Sequence, residues 1–128
     1  MLLGSVMLLL LLQLFFLLPP AYTFSPSLLQ KPADCAETTS LLVLVHSSPD
    51  HRALRQTLRE TWARNRVGHI RTVFVVGDPK NKKLTEALRQ EGEQQGDLLQ
   101  GDFVDSYRNL TTKHLFAFTW AAFQCDRD

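Results

Sequence analysis

The chain has 128 residues with 14 Lys+Arg against 13 Asp+Glu, and every charged side chain lies between Lys31 and Asp128. The charge-bearing part, roughly 100 residues, suffices for one small domain and not for two. A net charge of +1 excludes a surface wholly devoted to nucleic acid or anionic lipid, and two cysteines exclude a disulfide-dense scaffold or a four-cysteine zinc site.

Residues 2–18 are apolar except for Gly4, Ser5 and Gln13, and Pro19-Pro20 ends any helix there. Such a run spans about 26 Å, slightly short of a hydrocarbon core. It reads as a signal anchor over residues 1–20 or as a cleaved signal peptide, and either sends the rest of the chain into a lumen. Residues 21–36, with Pro26 and Pro32 and little periodicity, read as a short luminal stem.

The run Leu41-Leu42-Val43-Leu44-Val45-His46 has the continuous apolar character of a strand buried on both faces. Ser47-Ser48-Pro49-Asp50 is a helix-start signal with hydroxyls available to cap. In the helix that follows, Leu54, Leu58 and Trp62 recur every four residues as one apolar stripe, with Arg52, Arg55 and Arg59 on a neighbouring face. Gly68 closes this unit. Residues 70–76 read as a second strand and Gly77-Asp78-Pro79 as a turn. Leu84 and Leu88 mark a polar surface helix ending near Gly92 to Gly96. A third strand is expected over residues 97–104, interrupted by Gly101. A last helix, residues 109–124, has Leu110, Phe116, Phe118, Trp120 and Phe123 around most of its circumference, the pattern of a largely buried helix.

Alternating strands and helices predict an α/β domain with a parallel sheet, whose ligands bind at the carboxyl ends of the strands. Those ends are His46-Ser47-Ser48, Gly77-Asp78 and Asp105-Ser106-Tyr107. Residues 50–71 hold six Arg against Asp50 and Glu60, whereas residues 86–105 hold six acidic residues against Arg89. Arginines just after a strand suit a phosphate-bearing ligand, since guanidinium groups bond phosphate oxygens in pairs. The alternative is a solvated helix face pairing with the acidic segment. The phosphate-loop and dinucleotide glycine motifs are absent. His46, His51, His69 and His114 form no pair at metal-ligand spacing on one helix, and each reads as partner-bonded or exposed. Asn109-Leu110-Thr111 is a glycosylation acceptor triplet, and Cys35 and Cys125 form an even pair that an oxidising lumen would allow to bridge.

Arg55, Leu58, Arg59, Thr61 and Trp62, following Leu42-Val43-Leu44-Val45-His46-Ser47, resemble the opening of the β-1,3-glycosyltransferase family. Phe74-Val75-Val76-Gly77 is similar to that family's second strand. Gly96-Asp97-Leu98-Leu99, followed by Asp102, Phe103, Asp105, Ser106, Tyr107, Asn109, Leu110, Thr111 and Lys113, resembles its longest shared block, and Trp120 and Cys125 continue the order. Ala63 departs from the family's usual glycine after the tryptophan.

The resemblance implies the amino-terminal half of a Rossmann-like, GT-A type transferase domain over residues 37–128. Its activity would move galactose or N-acetylglucosamine from a UDP-sugar to the 3-hydroxyl of an acceptor glycan. Mn2+ or Mg2+ would serve in the intact enzyme, on an aspartate cluster expected later than Cys125, as would the catalytic base. Asp126-Arg127-Asp128 reads as a coincidence of spelling. Ser47, Arg55, Arg59, Asp105 and Lys113 match shared positions and are expected at the UDP-sugar. The arginines and Lys113 would meet the diphosphate, and Asp105 the uracil or ribose. The implied setting is a single-pass type II Golgi membrane protein, anchored by residues 2–18, glycosylated at Asn109 and able to associate with other transferases. The alternative is a truncated, non-catalytic luminal form that binds a partner transferase or a nucleotide.

Overall fold

The computed structural model describes residues 26–63 and 69–125. The apolar run of residues 2–18, Gly68 and the triplet Asp126-Arg127-Asp128 lie outside them. No helix among the described residues is long and apolar enough to cross a membrane.

Three strands run parallel: β2 (Leu41–His46), β3 (Ile70–Asp78) and β4 (Leu98–Val104). Helix α1 (Arg52–Glu60) connects the first pair and α2 (Lys82–Gln95) the second, and a 3-10 turn (Tyr107–Asn109) leads from β4 into α3 (Leu110–Gln124). A fourth strand, β1 (Leu28–Gln30), pairs antiparallel with β4, giving the order β1-β4-β3-β2. The stretch read as a stem therefore contributes to the sheet, which is mixed and not purely parallel. Backbone pairing with β4 supplies what three residues of local sequence do not announce.

Side-chain alternation sorts β3 into two layers. Val73 and Val75 join Leu99, Phe103, Phe116, Ala117 and Trp120 beneath α3. Phe74 and Val76 point the other way, packing with Leu98, Leu88 of α2 and Leu58 of α1. A disulfide joins Cys35 to Cys125, 90 residues apart with Cα atoms 5.3 Å from each other, and tethers the approach to β2 to the end of α3.

Four local expectations change. Strand β2 lies at the sheet edge with no described strand on its outer side, so its apolar run is half-buried. The α1 stripe is broken: Leu58 packs inward, but Leu54 and Trp62 are each 59% exposed, whereas Arg55 and Arg59 are buried. Strand β3 continues through Gly77 to Asp78 instead of turning there. Helix α3 buries one face, through Lys113, Phe116, Ala117 and Trp120, and leaves Leu115, Phe118 and Phe123 exposed.

Helix α2 ends within the glycine-bounded stretch expected for it, and its start is capped. Asn81 accepts the backbone N–H groups of Lys83 and Leu84, and Gly96 ends the helix at φ 65°. The β3–β4 register slips beyond Val76, so that Asp78 faces Val104. The slip carries Phe103 against Gly77, where a Cβ would lie 2.7 Å from both the Phe103 ring and its carbonyl oxygen.

Candidate functional site

The carboxyl ends of β2, β3 and β4 converge on Lys113. This residue reaches them from the first turn of α3, where its stem is buried with Phe116 and Ala117. Its Nζ donates to the Ser47 carbonyl at 2.7 Å and to the Asp105 carboxylate at 2.9 and 3.1 Å. Asp105 Oδ2 also accepts the Gly77 N–H at 2.7 Å. One ammonium and one carboxylate thus hold all three strand ends. The pair is largely desolvated, with side-chain exposures of 6% for Lys113 and 11% for Asp105.

Behind Ser47 stands Arg55, which is 1% exposed. Its Nε and one Nη fork onto the Glu91 carboxylate at 2.9 and 2.7 Å. The remaining N–H groups reach Ser47 Oγ at 2.9 Å and the carbonyls of Ser48 and Pro49 at 2.6 and 3.2 Å. Arg59 lies one turn further along α1, bonded to both oxygens of Asp97 at 2.8 Å and to Glu91 at 2.8 Å. Its guanidinium also stacks 4.9 Å from the Phe74 ring centre. Burial alone would raise the Glu91 carboxyl, but hydrogen bonds from Arg55 and Arg59 outweigh it and hold that group below the ordinary carboxylate range.

All five anticipated residues therefore belong to one connected network. Arg55 has its five N–H groups engaged inside the protein, and Arg59 forms its ion pairs beneath the sheet. In this arrangement the printed bonds of both guanidinium groups end on protein atoms. The acidic segment does pair with the arginines, but in the interior and not on a solvated face. Neither Glu91 nor Asp97 was assigned to the site from sequence, although Asp97 lies in a shared block and the opposite charge balances of the two segments pointed to both.

At the end of β3, Asp78 accepts the Lys80 backbone N–H at 2.8 Å and its ammonium at 2.7 Å, closing a turn in which Lys80 adopts φ 51°. Hydrogen bonds from Lys80 lower the Asp78 carboxyl below its ordinary value. A groove of about 310 Å³ opens there, lined by Asp78, Lys80, Asn81, Lys82, Thr85 and Glu86. Beside Lys113, the His46 and His114 rings lie with centres 4.2 Å apart and their planes tilted by 35°. His114 Nδ1 lies 2.8 Å from the Leu110 carbonyl, whereas His46 Nδ1 is buried without a partner among the described residues. No three His, Cys, Asp or Glu side chains converge among the described residues. Asn109 Nδ2 donates to the Val104 carbonyl at 2.8 Å.

In open α/β sheets ligands bind outside the carboxyl ends of the strands, which is where the Lys113–Asp105 pair stands. The galactosyltransferase family profile matches residues 53–128. N-acetyllactosaminide beta-1,3-N-acetylglucosaminyltransferase 3 of Homo sapiens is 37% identical over 101 residues, covering 73% of this chain and 27% of that protein. Beta-1,3-galactosyltransferase 5 of Pan paniscus is 36% identical over 91 residues, covering 68% and 30%. Beta-1,3-galactosyltransferase 4 of Rattus norvegicus is 38% identical over 88 residues, covering 66% and 24%. The chain belongs to the galactosyltransferase family, and it spans less than a third of the length of these curated relatives.

Proposed function

We propose that this chain carries part of the donor site of a UDP-sugar-dependent β-1,3-hexosyltransferase. The observation behind the reading is the Lys113–Asp105 pair, which fixes a cation at the carboxyl ends of three parallel strands in a chain of this family. The UDP-sugar lies across those ends, with Lys113 offering positive charge to the diphosphate. Ser47 shapes the adjoining loop, and Asp105, which keeps acceptor capacity on Oδ1, meets the uracil or ribose. Arg55 supports that surface through Ser47, and Arg59 supports it one step further back through Glu91.

The reaction moves galactose or N-acetylglucosamine to the 3-hydroxyl of an acceptor glycan with inversion at the anomeric carbon. The relatives named for the two sugars resemble this chain to similar degrees, so the donor sugar is left as either. The described residues do not fit a divalent metal: Asp78 and Asp105 each hold a lysine, and no third ligand joins them. The Mn2+ or Mg2+ of the intact enzyme is therefore assigned to residues outside those described. The setting is luminal, on a Golgi membrane, with residues 2–18 as anchor, Asn109 as glycan acceptor and other transferases as neighbours.

Titrating the 15N-labelled chain with UDP tests the donor surface. The Gly77, Asp105 and Ser106 amides should shift together and saturate. Shifts confined to other regions, or none, would reject it. Saturating UDP binding in a protein that transfers no sugar would assign the non-catalytic, nucleotide-binding alternative.

A further inference from the structure

We propose that Arg55 is a positioning residue: anchored by Glu91 on one face of the sheet, it fixes residues 47–49 and thereby sets where Lys113 stands on the other. The contrast with Arg59 carries the inference. Among the described residues, Arg59 gives its charge-assisted bonds to Asp97 and Glu91, as a residue joining α1 to its neighbours needs to do. Arg55 gives Glu91 two bonds and sends three to the segment leaving β2, at Ser47 Oγ, Ser48 O and Pro49 O. Ser47 then offers its carbonyl to Lys113 Nζ, whose other partner, Asp105, holds the Gly77 amide.

The relay runs Glu91, Arg55, Ser47, Lys113, Asp105, and every member is at least half-buried, so movement at one end has little solvent to absorb it. A lysine at position 55 could not reproduce it, because a three-donor ammonium lacks the planar fork that spans a carboxylate and three loop oxygens at once. The relay rests on hydrogen-bond geometry, and its consequence for nucleotide binding rests on the donor-site reading.

The test is the rate at which Lys113 is reductively methylated in the folded protein, read by peptide mass spectrometry. Arg55→Lys and Glu91→Gln should each speed labelling about tenfold, the loss expected for freeing a charge-assisted contact. Leu88→Ala, on the same α2 helix and outside the relay, should lower the melting temperature without speeding it. Unchanged labelling in Arg55→Lys, or an equal rise in Leu88→Ala, would overturn the proposal. Should the charge variants fail to fold, Ser47→Ala removes one loop acceptor with the ion pair intact. It should still speed labelling by about threefold, and an unchanged rate there overturns the relay equally. UDP affinity measured alongside separates the two readings. A wild-type protein that ignores UDP ends the donor-site reading, while the labelling result decides the relay on its own.

Discussion

Arg55 and Lys113 never touch, yet they hold the same residue from opposite faces of the sheet. Arg55, on the face that carries Phe74 and Val76, bonds Ser47 Oγ, and Lys113, on the face that carries Val73 and Val75, bonds the Ser47 carbonyl. Ser47 is where the two polar halves of the structure become one. The end of an edge strand, which would otherwise fray, is fixed by charge-assisted bonds on both sides.

The buried quartet Arg55, Glu91, Arg59 and Asp97 is charge-neutral, so removing one partner strands a charge in the interior. Glu91→Gln should destabilise the chain by about 3–5 kcal/mol. Urea unfolding followed by circular dichroism checks this. A loss close to that of an exposed substitution, such as Glu93→Gln, would mean that the arginines find other partners.

Stability should fall on mild acidification. Burial first, then the nearby His114 and Lys113, depress His46 below its ordinary 6.5, against a smaller opposing pull from Asp105. The unfolded chain takes up this proton near 6.5 and the folded chain only at lower pH, so protonation favours unfolding. The melting temperature should therefore be level above about that value and decline below it, ahead of the carboxylate losses that follow further into acid. His46→Phe keeps an aromatic ring and should remove the earlier part of the decline; an unaltered profile would place its origin elsewhere.

Gly77→Ala should destabilise by about 1–3 kcal/mol, because overpacking against backbone cannot be relieved by a rotamer change. The new Cβ would meet the Phe103 carbonyl oxygen at 2.7 Å and Asp105 Cβ at 2.9 Å. Chemical denaturation of the variant measures the loss. Wild-type stability would show that the β3–β4 register slip yields readily.

Helix α2 was legible because its cues are local: Leu84 and Leu88 four apart, and glycines at its end. The alternation of the three parallel strands with helices along the chain was legible for the same reason. The orientation of α1 was not. Periodicity places Leu54 and Trp62 inward and the arginines outward, and what reverses it is Glu91, 36 residues beyond Arg55. A buried arginine is defined by its partner, and the partner is tertiary. Strand β1 escaped notice because Leu28-Leu29-Gln30 has no alternation to read and owes its conformation to β4. The candidate site was half legible: its five residues do lie in one network, but which of them face a ligand depends on where each hydrogen bond ends.

Cleavage with peptide N-glycosidase and non-reducing peptide mapping, on protein from a secretory host, examine the luminal reading. Asn109 should lose glycan mass, since its Nδ2 carries two hydrogens and the Val104 carbonyl takes one. Cys35 and Cys125 should appear in one linked peptide, and replacing both with serine should cost about 4–5 kcal/mol for a loop of this size. An unmodified Asn109 and two free thiols in folded material would contradict both expectations.

The most direct test of the donor-site account is calorimetric UDP affinity for Lys113→Gln beside Leu88→Ala, with both variants folded. The account predicts that Lys113→Gln loses at least about tenfold in affinity, the scale of one charge-assisted phosphate contact, while Leu88→Ala binds like the wild type. Equal affinity in Lys113→Gln and the wild type would contradict it.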